Sequence, residues 1–182
     1  FNDSQRLYDN LNSNKAMAYM LEYSSKPTKS SNIQLNERKF KKNRAVIGII
    51  GSGGFTKSTI LPLLEKTSCE IKSICSLNGL NSTLLAKKYN ISNSTSNYKD
   101  IISDDEIDTV FITTRHDSHH KLVIEALENN KNIFVEKPLA LNNIELNDII
   151  KKYNNNQNSN ITVGYNRRFS PHIIAIKKSI GI

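Results

Sequence analysis

Four stretches of this chain combine residue types that chemistry uses. Gly51-Ser52-Gly53-Gly54-Phe55 stands between an apolar run and an amphipathic one. A glycine turn in that setting suits a phosphate. Gly51 takes the tight turn, and Gly53 lets backbone approach a pyrophosphate without an intervening Cβ. The following helix N-terminus offers unpaired N–H groups and the positive end of its dipole. The third position of such a fingerprint falls on Thr56 rather than Gly or Ala, which predicts looser packing of helix on strand. Further on stands Glu136-Lys137-Pro138. Pro138 lacks an N–H, ends a strand, and holds Lys137 extended. The ammonium then points to the sheet edge where ligands bind, placed to pin a substrate hydroxyl and offset negative charge during hydride transfer. Standing alone, such a lysine would be only a solvated strand end.

The third stretch is Thr113-Thr114-Arg115-His116-Asp117-Ser118-His119-His120. His116 and His120 have the i, i+4 spacing that suits a metal, but no carboxylate or third ligand is fixed near them. No metal site is read here, and His119 is expected to help line a cofactor cleft. The fourth is Asn166-Arg167-Arg168 after the last strand, two arginines able to meet an anionic substrate or a neighbouring domain. A further position is informative for what it lacks. A dinucleotide site usually carries an acid at the end of its second strand to hold the ribose 2′-hydroxyl. This chain has Ser76 there, with no Arg beside it, so NAD and NADP both stay open.

These residues need strands and helices in alternation to bring them to one edge. Residues 45–50 (AVIGII) are continuously apolar, as in a strand buried on both faces of a parallel sheet. A helix is expected over 55–66, with Pro62 in its tolerated early part. Strands follow at 70–77, 108–114, 132–137 and 161–165, with a weak one at 91–97. Helices are expected over 82–89, 98–103, 117–130 (capped by Asp117 or Ser118) and 141–153. The pattern is α/β: a doubly wound parallel sheet of the Rossmann dinucleotide-binding kind, with ligands at the carboxyl ends of its strands. Its boundaries are read as 44–165. Before it come a short helix at 5–11, a strand at 16–23 and a polar linker over 24–43. Residues 166–182 begin a second domain.

Composition excludes several classes. The 182 residues are 37% hydrophobic and hold no apolar run of membrane-spanning length. The start is polar, with no signal peptide and no initiating Met, and the end stops within a helix, so a fragment is expected. The net charge is +8, but nine Lys/Arg against four Asp/Glu lie before residue 45. The basic excess therefore marks the linker rather than a nucleic-acid surface. Cys69 and Cys75, on one strand, would stand roughly 20 Å apart, beyond the ~7 Å a disulfide allows. Two reduced thiols fit a cytoplasmic protein.

GIIGSGGF, TTRHDSHHKLVIEAL, NIFVEKPLAL and VGYNRRFSPH together resemble the Gfo/Idh/MocA family of oxidoreductases, relatives of glucose-fructose oxidoreductase and inositol dehydrogenase. The wording is most similar to two-domain relatives in which a zinc-type alcohol dehydrogenase-like region comes first, whose closing segment LYDNLNSNKAMAYMLEY resembles. The resemblance implies NAD or NADP as cofactor and a sugar, sugar nucleotide or polyol as substrate. It implies that Gly51, Ser52, Gly53, Gly54 and Phe55 hold the pyrophosphate, with Ser76 at the ribose. Thr113, Thr114 and His119 would border the nicotinamide, and Glu136 and Lys137 would face nicotinamide and substrate, with Lys137 catalytic. Asn166 and Arg167 would lie at the cleft where a second domain begins, and a His of that domain would complete the proton relay. It implies a small-molecule substrate, no nucleic-acid or membrane partner, and self-association through that second domain. The alternative is a non-catalytic dinucleotide-binding module, a sensor or a partner subunit.

Overall fold

The computed structural model describes residues 30–40, 43–156 and 158–181. The helix expected at 5–11, the strand at 16–23 and most of the linker lie outside the described residues.

Strand β2 (Val46–Ile50) is the central strand of the sheet, and every one of its residues is buried. Its side chains alternate between two cores. Val46 and Ile50 join one with Val110, Ile112, Leu122, Val123, Ile133 and Val135. Ile47 and Ile49 join the other with Leu61, Ile74, Leu85 and Ala86. A strand apolar at every position is what two-sided burial requires.

From β2 the chain runs through a π turn (Thr56–Ile60) into α1 (Leu61–Leu64), then β3 (Glu70–Cys75), α2 (Leu80–Lys88), β4 (Asn93–Thr95) and α3 (Lys99–Ile102). Next come β5 (Thr109–Ile112), a 3-10 turn (His116–Ser118), α4 (His119–Glu128), β6 (Asn132–Glu136), α5 (Asn143–Asn155) and β7 (Ile161–Gly164). A 3-10 turn (Asn166–Phe169) leads to α6 (Pro171–Ile180). A short first strand, β1, covers Asn32–Gln34. The sheet order is β1-β4-β3-β2-β5-β6-β7, with β2 to β7 parallel. Setting β1 aside, this is the doubly wound order in which the winding reverses at the central strand and opens a crevice at its carboxyl end.

Several local expectations change. The segment read as linker contributes β1, which pairs antiparallel to β4 (Asn32↔Thr95, Gln34↔Asn93). Leu35 and Phe40 after it pack on the two cores. Two of its three residues are polar and all three are exposed, because a three-residue edge strand buries almost nothing itself. The weak strand at 91–97 contracts to Asn93–Thr95, whose Ser94 and Thr95 hydroxyls are hydrogen-bonded. The helix expected at 55–66 opens as a π turn, with Leu61 N–H bonded to Thr56 O. Pro62 explains it: without an N–H and with its ring against the preceding turn, it cannot continue an α register from upstream.

Neither Asp117 nor Ser118 caps α4 with its side chain. The Ser118 hydroxyl instead donates to Arg115 O (2.8 Å) and lies 2.6 Å from Thr114 Oγ1. By contrast, α5 has a reciprocal cap. Asn142 accepts from Glu145 N–H (3.0 Å), and Glu145 Oε2 accepts from Leu141 N–H (2.8 Å). Among the described residues no helix is long and apolar enough to cross a membrane.

Candidate functional site

The carboxyl ends of β2, β3, β5, β6 and β7 share one edge, and the sequence-expected residues lie there. Gly51 begins the turn after β2 at φ +114°, a conformation open to glycine alone. Its N–H donates to Cys75 O (3.0 Å), fixing the turn to β3. A Cβ at Gly51 would stand 2.7 Å from the Thr113 carbonyl, so the turn can lie against β5 only without a side chain. At Gly53 and Gly54 the opposite holds: an added Cβ would meet nothing within 4 Å. The two face open space at the helix start, where Lys57 N–H already donates to Gly53 O (3.0 Å). Gly53, Gly54 and Phe55 are exposed, and Ser52 is half-buried. Open backbone and free N–H groups at a helix start are what a pyrophosphate needs, so the residues present fit a dinucleotide.

Thr56 corrects the expectation of loose packing. It is fully buried, and its hydroxyl lies 2.9 Å from Gly51 O and 2.8 Å from Thr113 Oγ1. Thr113 Oγ1 lies 2.9 Å from the same carbonyl. Two hydroxyl protons serve three oxygens: one donates to Gly51 O and the other bridges the two threonines. This triangle locks helix, glycine turn and β5 together. It also turns the Thr113 side chain to the turn rather than to the cleft. Thr114 likewise faces Ser118.

His119 does not line an open cleft either. Its ring is fully buried. Nδ1 lies 2.7 Å from Pro138 O and Nε2 lies 3.2 Å from Thr114 O. The imidazole therefore ties the loop after β5 to the loop after β6, at the residue that follows Lys137. His116 and His120, whose spacing alone suits a metal, have separate partners. His120 Nε2 pairs with Asp148 Oδ2 at 2.8 Å, while the His116 ring stands edge-on to His119, centroids 5.7 Å apart.

Lys137 is exposed, the Lys137–Pro138 peptide is cis, and among the described residues nothing pairs with its ammonium. Glu136 beside it is held: its Oε1 accepts from Asn166 Nδ2 (3.1 Å). It also lies against Gly164, where a Cβ would be 2.7 Å from Oε1. Asn166 is thus brought to the site through Glu136, while Arg167 is exposed at its border.

Ser76 follows β3, its N–H donating to Thr95 O (3.1 Å) and its hydroxyl to Ser82 Oγ (3.1 Å). Burial pushes the neighbouring Cys75 thiol up to about 12, and the Asp100 carboxylate adds to this. The sequence reading missed Asp100, whose oxygens accept from Thr95 Oγ1 (2.6 Å) and Asn97 Nδ2 (2.8 Å). An acid after a Thr-x-Asn turn was the available signal.

The family model described as "Oxidoreductase family, NAD-binding Rossmann fold" (GFO_IDH_MocA) matches residues 45–165. An uncharacterized oxidoreductase of Bacillus subtilis (strain 168) is 32% identical over 132 residues, 72% of this chain and 38% of that protein. An inositol 2-dehydrogenase/D-chiro-inositol 3-dehydrogenase of Lactiplantibacillus plantarum is 29% identical over 137 residues, 74% of this chain and 39% of that protein. A 3-ketoreductase from Actinomadura kijaniata, crystallised with NADP and TDP-benzene, superposes with a TM-score of 0.70 at 17% identity over 76% of this chain and 42% of that one. That last likeness is one of fold. The chain spans about two fifths of the length of the curated relatives it matches.

Proposed function

From the premise that this chain belongs to the Gfo/Idh/MocA oxidoreductase family, we propose that it supplies the cofactor half of an NAD(P)-dependent oxidoreductase acting on a sugar, sugar nucleotide or polyol. The observation that carries the reading is the open backbone at Gly53 and Gly54, set between a buried strand and a helix start. The inositol dehydrogenase relative supports the substrate class.

A nicotinamide held here would supply hydride chemistry between a carbinol carbon and the corresponding carbonyl carbon. The chain's own part is to position and polarise. The turn from Gly51 to Phe55 binds the pyrophosphate through N–H groups. Lys137, exposed and unpaired among the described residues, donates to the substrate oxygen and offsets its developing charge. Glu136, fixed by Asn166, sets the end of β6 from which Lys137 projects. Arg167 borders the substrate side.

Titration with NADH and NADPH, followed by nicotinamide fluorescence, tests the first part. Saturable binding is expected for the wild type, with loss in Gly53→Val, whose side chain fills the cradle. No binding to a folded chain would remove the cofactor reading. In the full-length protein, assayed on polyols and sugars beginning with myo-inositol, Lys137→Ala should lower kcat roughly 10²–10³-fold. Unchanged turnover would end the catalytic role of Lys137.

A further inference from the structure

Lys137 is long, exposed and unpaired among the described residues, so its own contacts do not fix its ammonium. The backbone on either side of it is fixed instead. Before it, Glu136 closes β6, with Oε1 accepting from Asn166 Nδ2 (3.1 Å). After it, Pro138 O lies 2.7 Å from His119 Nδ1. Among the described residues, that is the one hydrogen bond from a side chain that residues 137–140 receive. Leu139 and Ala140 then pack against the core that holds Leu122 and Val123 of α4.

The ring is a fixed post. It is fully buried at the first residue of α4, and the His116 ring packs edge-on against it, centroids 5.7 Å apart. A neutral imidazole carries one N–H. The shorter contact gives that proton to Nδ1 and so to Pro138 O, while Nε2 meets Thr114 O at the longer 3.2 Å. The two loops differ in how much they need the ring. The loop after β5 is closed by its own hydroxyls: Thr114 Oγ1 lies 2.6 Å from Ser118 Oγ, and Ser118 donates to Arg115 O (2.8 Å). Among the described residues, the loop after β6 has no such side-chain bond of its own before Leu141. His119 therefore carries the position of one loop across to the other, at the residue next to Lys137.

We infer that His119 is a positioning residue for Lys137, its Nδ1–H holding Pro138 O so that the ammonium meets the substrate oxygen. The inference rests on the reading of Lys137 as the catalytic residue. Misplacing a reacting group by about 1 Å can cost on the order of 10²-fold in rate, so a backbone tie one residue away is enough to matter.

The test uses the full-length protein and myo-inositol, or the first polyol or sugar in that series to react, with kcat, KM and NADH binding measured together. His119→Leu should lower kcat roughly 10–10²-fold, with KM and the NADH Kd nearly unchanged. His119→Asn places an amide N–H where Nδ1 stands and should recover most of kcat. His119→Gln places it where Nε2 stands and should not. Adding His119→Leu to Lys137→Ala should slow that variant no further, since the residue through which the tie acts is already gone. Unchanged kcat in His119→Leu, equal kcat in His119→Asn and His119→Gln, or a further fall in the double variant overturns the positioning role while the reading of Lys137 stands. Unchanged turnover in Lys137→Ala removes that reading and this inference with it, as does a full-length chain that turns over none of these substrates. Urea midpoints identify the folded variants, and if no substitution at His119 folds, the ring serves the fold alone and the inference falls.

Discussion

His119 shows how little a residue's type says about the direction of its ring. Its place at the start of α4 suggested a cleft-lining side chain. Burial and two carbonyls at 2.7 and 3.2 Å make it a tie between loops instead. Sequence carries the residue type but not the direction of the ring. His119→Leu removes the ring donor from between the Pro138 and Thr114 carbonyls and should cost about 1–3 kcal/mol, read from the urea midpoint. Thr56 was misread for a related reason. A fingerprint counts side-chain volume, whereas here the hydroxyl supplies hydrogen bonds that compensate for it. Cys75 gives a pH prediction. Its thiol is raised by burial and then by Asp100, so the thiolate is disfavoured in the folded state. Its contribution to stability is complete below the unfolded value of 9.0 and is lost as pH rises toward about 12. Denaturant midpoints across that window should fall, and less so in Cys75→Ala.

At the scale of elements, what was legible followed burial. The strands at 45–50, 108–114 and 132–137 were apparent because both faces are covered and the side chains record it. Two elements were hard to see because their stability comes from hydrogen bonds rather than apolar area. β1 and β4 carry little buried apolar area; β1 is held by backbone pairing and β4 by backbone pairing and hydroxyls. The boundaries of α4 and α5 shifted because capping depends on rotamers. Lys131 belongs to the same class. It is buried at the start of β6, and its ammonium donates to Asp104 O (2.7 Å) and Ile107 O (2.8 Å). Burial lowers its pKa, with nearby Asp105, Asp104 and Asp108 opposing. A charged residue between a helix end and a strand reads as solvated, so nothing announced it. Lys131→Met should destabilise by about 1–3 kcal/mol, because two carbonyls lose their donor. Thermal unfolding would measure it.

For the whole molecule, the cofactor site and the fold share the central strand, so binding and stability are linked. A ligand that binds only the native state at a hundred times its Kd adds about 2.7 kcal/mol. NADH at that excess should raise the urea midpoint accordingly, and Gly53→Val should abolish the rise while leaving the unliganded midpoint nearly in place. The sheet order has a consequence in time as well. β2 pairs with β5 through Ile47↔Thr109, 62 residues downstream. On a ribosome adding about 5–20 residues per second, the partner emerges roughly 3–12 s after β2 does. For that interval the most apolar of the described strands is translated but lacks one of its neighbours, which leaves residues 46–50 as bare apolar surface for a chaperone to cover.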